Sequence, residues 1–180
     1  MRSAGPGSFD HNHWEDAKMG QATLPAVSLG KVIGFLEILD DLGGQCDIYR
    51  AATALQMELD DILPVIEAGQ TLGFIRIENG DGLLTDDGRR FLRSDINERK
   101  RMICLKIEEI GLFKELVGIL RSKRSARIPR AAYLSGALKG MYSREAEDLL
   151  HTIVDWGRYA ELIGYNEDTD EIYLDQPITL

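Results

Sequence analysis

The chain has 180 residues, of which 44% are hydrophobic and 28% charged, and a formal net charge of −9. That balance belongs to a soluble globular protein of one domain or two small ones and excludes a disordered chain. No run approaches the roughly 20 apolar residues a bilayer span needs, and the N-terminus lacks the basic-then-apolar pattern of an export signal.

Residues 1–27 are rich in Gly, Ser and Ala without sustained periodicity, and they read as a flexible leader. His11 and His13, with Glu15 and Asp16, are the one group with metal-ligand chemistry. A tail with no supporting shell does not make them a site, so no metal and no cofactor are expected. Ser28 is placed to cap a first helix, in which Val32, Ile33, Leu36 and Leu39 recur at helical spacing before Gly43-Gly44. Asp47 caps a short second helix, residues 48–55. A third follows over residues 58–72, with Leu59, Ile62, Leu63, Ile66 and Leu72 inward. Pro64 predicts that this helix either begins late or bends there.

Phe74, Ile75 and Ile77 then form a strand, Asn79-Gly80-Asp81-Gly82 a tight hairpin turn, and Leu83-Leu84-Thr85 the returning strand. Thr85 or Asp86 caps the helix that follows. A hairpin set between helices is the signature of a winged helix-turn-helix. From 95 to about 120 the pattern predicts one long amphipathic helix, with Ile96, Ile103, Ile107, Ile110, Phe113, Val117 and Leu120 as its stripe and Met102, Leu105 and Leu112 broadening it. Such a breadth suits either core packing between two modules or a homodimer seam.

Residues 121–130 read as a basic linker. Pro129 fits the first turn of a helix reaching Leu138, and Ser143 caps another that carries Leu149, Leu150, Ile153 and Trp156, with His151 half-buried beside them. A second hairpin spans 159–174, against which Trp156 is expected to be buried. The expected fold is mainly helical α+β: a leader (1–27), a winged-helix unit (28–94), a connecting helix (95–122) and a reduced second unit (123–180).

The charge is unevenly spread. Residues 28–88 carry 3 basic and 12 acidic side chains, residues 89–130 carry 13 and 5, and residues 131–180 carry 3 and 10. Two readings fit: the basic centre is neutralised by its acidic flanks, or it forms a docking strip for an acidic partner. Arg121, Lys123, Arg124 and Arg127, placed outside the predicted helices, are the candidate docking residues.

Catalytic signatures are missing from the sequence. It holds no phosphate-binding loop, no Gly-x-Ser-x-Gly elbow and no His-Glu-x-x-His. The pairs Asp40-Asp41, Asp60-Asp61 and Asp86-Asp87 are adjacent, so their carboxylates do not converge as a general acid and base must. No enzymatic activity is expected. Cys46 and Cys104 fit no metal or redox spacing and read as reduced cytoplasmic thiols. The rival reading, a winged-helix transcription regulator, needs cations on the helix that enters the groove. The third helix instead presents Asp60, Asp61, Glu67, Gln70 and Thr71, and the second hairpin carries Glu167, Asp168, Asp170 and Glu171.

Several stretches resemble a known family. They are Leu59-Asp60-Asp61-Ile62-Leu63-Pro64-Val65-Ile66-Glu67, Leu72-Gly73-Phe74, Leu84-Thr85-Asp86-Asp87-Gly88-Arg89-Arg90-Phe91, Glu98-Arg99-Lys100, Asp155-Trp156-Gly157-Arg158-Tyr159-Ala160-Glu161-Leu162 and Tyr165-Asn166-Glu167-Asp168-Thr169. Together they resemble, over about residues 28–174, the AAA-associated C-terminal domain, a module behind the nucleotide-binding domain in ATPase subunits of nitrate/sulfonate/bicarbonate-type ABC importers. The resemblance implies a regulatory or interaction role with ATPase or permease subunits, at the cytoplasmic face of the membrane, and no catalytic residues. It also implies a preceding ATPase domain that these residues do not contain, as in a fragment or a free-standing relative acting in trans.

Overall fold

The computed structural model describes residues 24–175, so His11, His13 and most of the expected leader lie outside the described residues. The first half runs α1 (Leu29–Asp41), β1 (Gln45–Asp47), α2 (Ile48–Ala54), α3 (Leu59–Thr71), β2 (Ile75–Glu78), β3 (Asp81–Leu84) and α4 (Asp86–Arg93). α5 (Ile96–Ile107) then crosses to the second half: α6 (Gly111–Ser122), β4 (Arg127–Pro129), α7 (Arg130–Gly136), α8 (Ser143–Tyr159), β5 (Ile163–Asn166) and β6 (Glu171–Leu174).

The local chemistry places most of these elements. The Asp47 carboxylate accepts from the Arg50 amide at 3.1 Å and starts α2. Asn79 and Gly80 take the positive φ of the hairpin turn, at 53° and 90°. Thr85 Oγ1 accepts from the Gly88 amide at 3.0 Å and starts α4. Pro64 removes one hydrogen bond from α3, yet the helix starts at Leu59 and runs on to Thr71, with Ile62, Val65, Ile66 and Ala68 buried on one side.

Each half closes on a three-stranded antiparallel sheet, of order β1-β3-β2 and β4-β6-β5. The first strand of each sheet is three residues long and comes before the helix pair. Sequence periodicity cannot register so short a run.

Several expectations need correction. The single helix over 95–120 is two helices, α5 and α6, because Ile110 leaves the helical region (φ −77°, ψ 128°). A straight helix of that length would reach about 39 Å, too long for one side to stay on this core. Breaking at Glu108-Glu109-Ile110 lets Ile107, Ile110 and Phe113 all be buried. Ile96 and Leu105, expected inside, are 55% and 61% exposed, and Leu63 on α3 also faces solvent. Leu24 and Val27, at the end of the expected leader, are buried. Tyr142 rather than Ser143 is the N-cap of α8, and His151 is exposed.

Trp156 is fully buried, as expected. Its indole N–H donates to the Val27 carbonyl at 2.9 Å, and the neighbouring Asp155 carboxylate accepts from the Leu29 amide at 2.7 Å. The C-terminal helix thus caps the start of α1, where the dipole favours a carboxylate. One apolar core runs from Leu24 to Ile172 through both halves.

The halves repeat each other bond for bond. The Leu84 amide donates to the Gly44 carbonyl, and the Leu174 amide to that of Ala126. Thr85 donates to Phe74 at 3.0 Å, and Asp175 to Leu162 at 3.1 Å. Ile48 donates to Gly80, and Arg130 to Asp170. A Cβ on Gly69 would strike the Ile75 side chain six residues on, and one on Gly157 would strike Ile163, again six on. Even the positive φ of Gly73 recurs, at 72°, as Glu161 at 55°.

Candidate functional site

A groove of about 500 Å³ lies between α5 and the second half. Asp95 fixes the start of its long wall, because its carboxylate accepts from the Asn97 and Glu98 amides at 2.9 Å each. Lys100, Arg101, Cys104 and Glu108 follow along α5 on that side. Ala160, Leu162 and Leu174 give the groove an apolar floor, and Arg121 at the end of α6 closes one edge. The Lys100 ammonium meets Glu161 at 2.5 Å and Arg101 meets Glu98 at 2.8 Å. Burial pushes the Cys104 thiol up from its ordinary value, and the Glu108 carboxylate adds to the shift.

The candidate docking residues divide. Arg121 lies within α6 rather than in a linker, Lys123 is that helix's C-cap, and Arg124 follows it. All three are exposed, and no ion pair engages them among the described residues. Arg127 is instead part of β4, 3.7 Å from Glu171 and 5.1 Å from the centre of the Tyr173 ring. The side chains of 121, 123 and 124 therefore form the exposed basic strip, with Arg127 tied to the second sheet.

Ion pairs neutralise part of the basic centre within the fold. Lys106–Asp87 (2.6 Å), Lys100–Glu161, Arg127–Glu171 and Arg130–Glu147 join the centre to its acidic flanks. Arg99 serves the backbone instead. Its Nε donates to the Phe91 and Ser94 carbonyls at 3.0 and 3.1 Å, and Nη2 to that of Leu92 at 2.5 Å. It thereby closes the C-terminus of α4.

Among the described residues no group of three His, Cys, Asp or Glu side chains is arranged to hold a metal ion. Asp60-Asp61 and Asp86-Asp87 sit in the first turns of α3 and α4, where the helix dipole favours them. The outward side of α3 is acidic as expected, with Asp60, Asp61 and Glu67 exposed. Sequence reasoning missed the groove itself, because its residues come from 95–108, 121, 160–162 and 174–175 and share no local pattern. No helix of the described residues is long and apolar enough to cross a membrane.

A family model for the C-terminal AAA-associated domain matches residues 49–166, from the first turn of α2 to the end of β5. No curated protein and no solved structure matches the chain.

Proposed function

The chain belongs to the C-terminal AAA-associated domain family, and from that premise we propose that it is a non-catalytic regulatory and interaction module for the ATPase subunit of an ABC-type nitrate/sulfonate/bicarbonate importer. The family match over about two thirds of the chain carries the reading. We read each half as a winged helix-turn-helix unit, 28–94 and 123–180, joined through 95–122. The repeated order of helix, strand, two helices and hairpin supports that.

Arg121, Lys123 and Arg124, with Arg127 behind them, are the proposed docking residues for an acidic surface of the ATPase. An exposed cationic strip speeds encounter with such a surface over about 8 Å at physiological salt. The module works in the cytoplasm, at the membrane only through its transporter complex.

Two measurements test the reading. Purified chain is expected to turn over no ATP, and hydrolysis that survives removal of contaminating ATPases would refute the non-catalytic part. A gel shift at physiological salt against DNA upstream of its own gene is expected to show no specific retention. Sequence-specific retention would favour a winged-helix transcription regulator instead, against the acidic outer side of α3.

A further inference from the structure

Most serines and threonines among the described residues donate their hydroxyl to a nearby backbone carbonyl or, at Thr169, to a carboxylate. The exceptions are Ser28, Ser125 and Ser143, whose hydroxyls no hydrogen bond engages among the described residues. Their surroundings differ. Ser28 stands between Val27 and Leu29, both buried. Ser143 opens α8 and is followed by Glu145, Glu147 and Asp148. Ser125 has cations on both sides: Arg121, Lys123 and Arg124 before it, and Arg127 two residues after it.

The backbone presents this residue outward. The Ala126 amide donates to the Lys123 carbonyl at 2.9 Å, which closes a turn with Arg124 and Ser125 at its corners. Both corner residues are exposed. The turn is pinned at each end, because the Lys123 amide donates to the Leu120 carbonyl at 3.2 Å and the Ala126 carbonyl accepts from the Leu174 amide at 3.0 Å. Ser122, one turn back along the chain, is different: its hydroxyl donates to the Ile119 carbonyl at 2.7 Å. The strip therefore carries one uncommitted hydroxyl beside three cations, Arg121, Lys123 and Arg124, that no ion pair engages among the described residues.

We propose that Ser125 is a phosphorylation site for a serine kinase that selects basic substrates, and that the phosphate discharges the basic strip. Such a kinase reads cations near the acceptor with its own carboxylates, and Lys123 and Arg124 are available to them. In the transfer, Ser125 Oγ bonds to the γ-phosphorus of ATP while the bond from that phosphorus to the β–γ bridging oxygen breaks. ADP leaves, and the hydroxyl proton passes to the carboxylate base of the kinase. The phosphoserine carries about −1.5 to −2 charge at pH 7, enough to offset most of the charge on Arg121, Lys123 and Arg124. Its oxygens accept charge-assisted hydrogen bonds from those side chains. The site itself is independent of the importer reading. Its effect on docking rests on that reading, because the discharged strip is the one assigned to the ATPase.

The full chain is incubated with ATP and the catalytic domain of a protein kinase C-type enzyme, which reads cations on both sides of its acceptor, and the sites are mapped by mass spectrometry. Ser125 is expected to take phosphate about tenfold faster than Ser28, Ser122 or Ser143, and Lys123→Glu/Arg124→Glu to slow it about tenfold. Ser125→Ala is expected to remove the principal site. Labelling as fast at Ser28, Ser122 or Ser143, or a reversed pair labelled as fast as wild type, overturns the proposal. The phosphate is then titrated by phosphorus NMR. Free phosphoserine loses its second proton near about pH 6, and the cations of the strip are expected to lower that midpoint, with Arg124→Gln moving it back. A midpoint of about 6 in both proteins overturns the discharge of the strip. The phosphorylated chain is also expected to associate with the importer ATPase about tenfold more slowly, and equal rates would overturn the effect on docking. A chain that binds the ATPase in neither form fails the importer reading alone, because the mapping and the titration need no ATPase.

Discussion

Tyr133 offers a clean measurement of what an unpaired polar atom costs this core. Its side chain is fully buried in α7, and its hydroxyl has no hydrogen-bond partner among the described residues. Leaving such a group unpaired costs about 1–3 kcal/mol. Tyr133→Phe keeps the ring and removes the orphan, so it is expected to raise stability at pH 7 by about 1 kcal/mol, part of the gain being lost to the small void left behind. Burial, with the Glu115 carboxylate second, pushes the phenol up from 10 to about 12. The raised value means that the fold favours the neutral phenol. That contribution is full below pH 10, where the unfolded tyrosine titrates, and is lost as pH rises toward 12. The loss approaches about 3 kcal/mol. Urea unfolding followed by circular dichroism, on wild type and variant across pH 8–12, separates the two effects. The gap between the proteins is expected to widen above pH 10. A gap that stays constant with pH, or a phenylalanine variant less stable than wild type at pH 7, would refute the reasoning.

Three further changes test the packing. Gly88→Ala forces a methyl against the Phe74 carbonyl and is expected to cost about 1–3 kcal/mol in urea unfolding. Gly118→Ala in α6, with open space around it, is expected to gain about 1 kcal/mol; equal effects at the two positions would contradict the geometry. Arg99→Ala removes three backbone contacts and a cation 5.3 Å from the Phe91 ring centre. It is expected to cost about 2–3 kcal/mol, read as a thermal midpoint several degrees lower, and Arg99→Lys to recover only part of that. Trp156→Phe strands the Val27 carbonyl and is expected to cost about 2–4 kcal/mol, with early hydrogen exchange at the start of α1.

Much of the fold is legible in local chemistry. Asp47, Thr85 and Asn79-Gly80 announce a cap, a cap and a turn, because each acts on backbone within three residues of itself. What escapes notice is long-range. The break at Ile110 hides inside an unbroken apolar stripe, because α5 and α6 bury the same kind of side chain on either side of it. Asp155 caps an amide that lies 126 residues away in sequence, so no local signal announces its role. The pairing of Arg127 with Glu171 depends on a three-residue strand that carries no periodic signal. The groove is harder still, since its lining comes from α5, the end of α6 and residues 160–162 and 174–175, which no local pattern joins.

The central claim, association with an importer ATPase, is tested most directly by a binding titration at physiological salt. The full chain and its Lys123→Glu/Arg124→Glu variant would be compared against the purified ATPase subunit of a nitrate/sulfonate/bicarbonate-type importer. The reversal touches only exposed side chains without ion-pair partners among the described residues, so both proteins are expected to unfold within about 1 kcal/mol of each other. Wild type is expected to bind saturably, while the variant associates about tenfold more slowly and with a weaker salt dependence. Absence of binding by the wild-type chain would contradict the account, and so would a variant that binds as fast with the same dependence on salt.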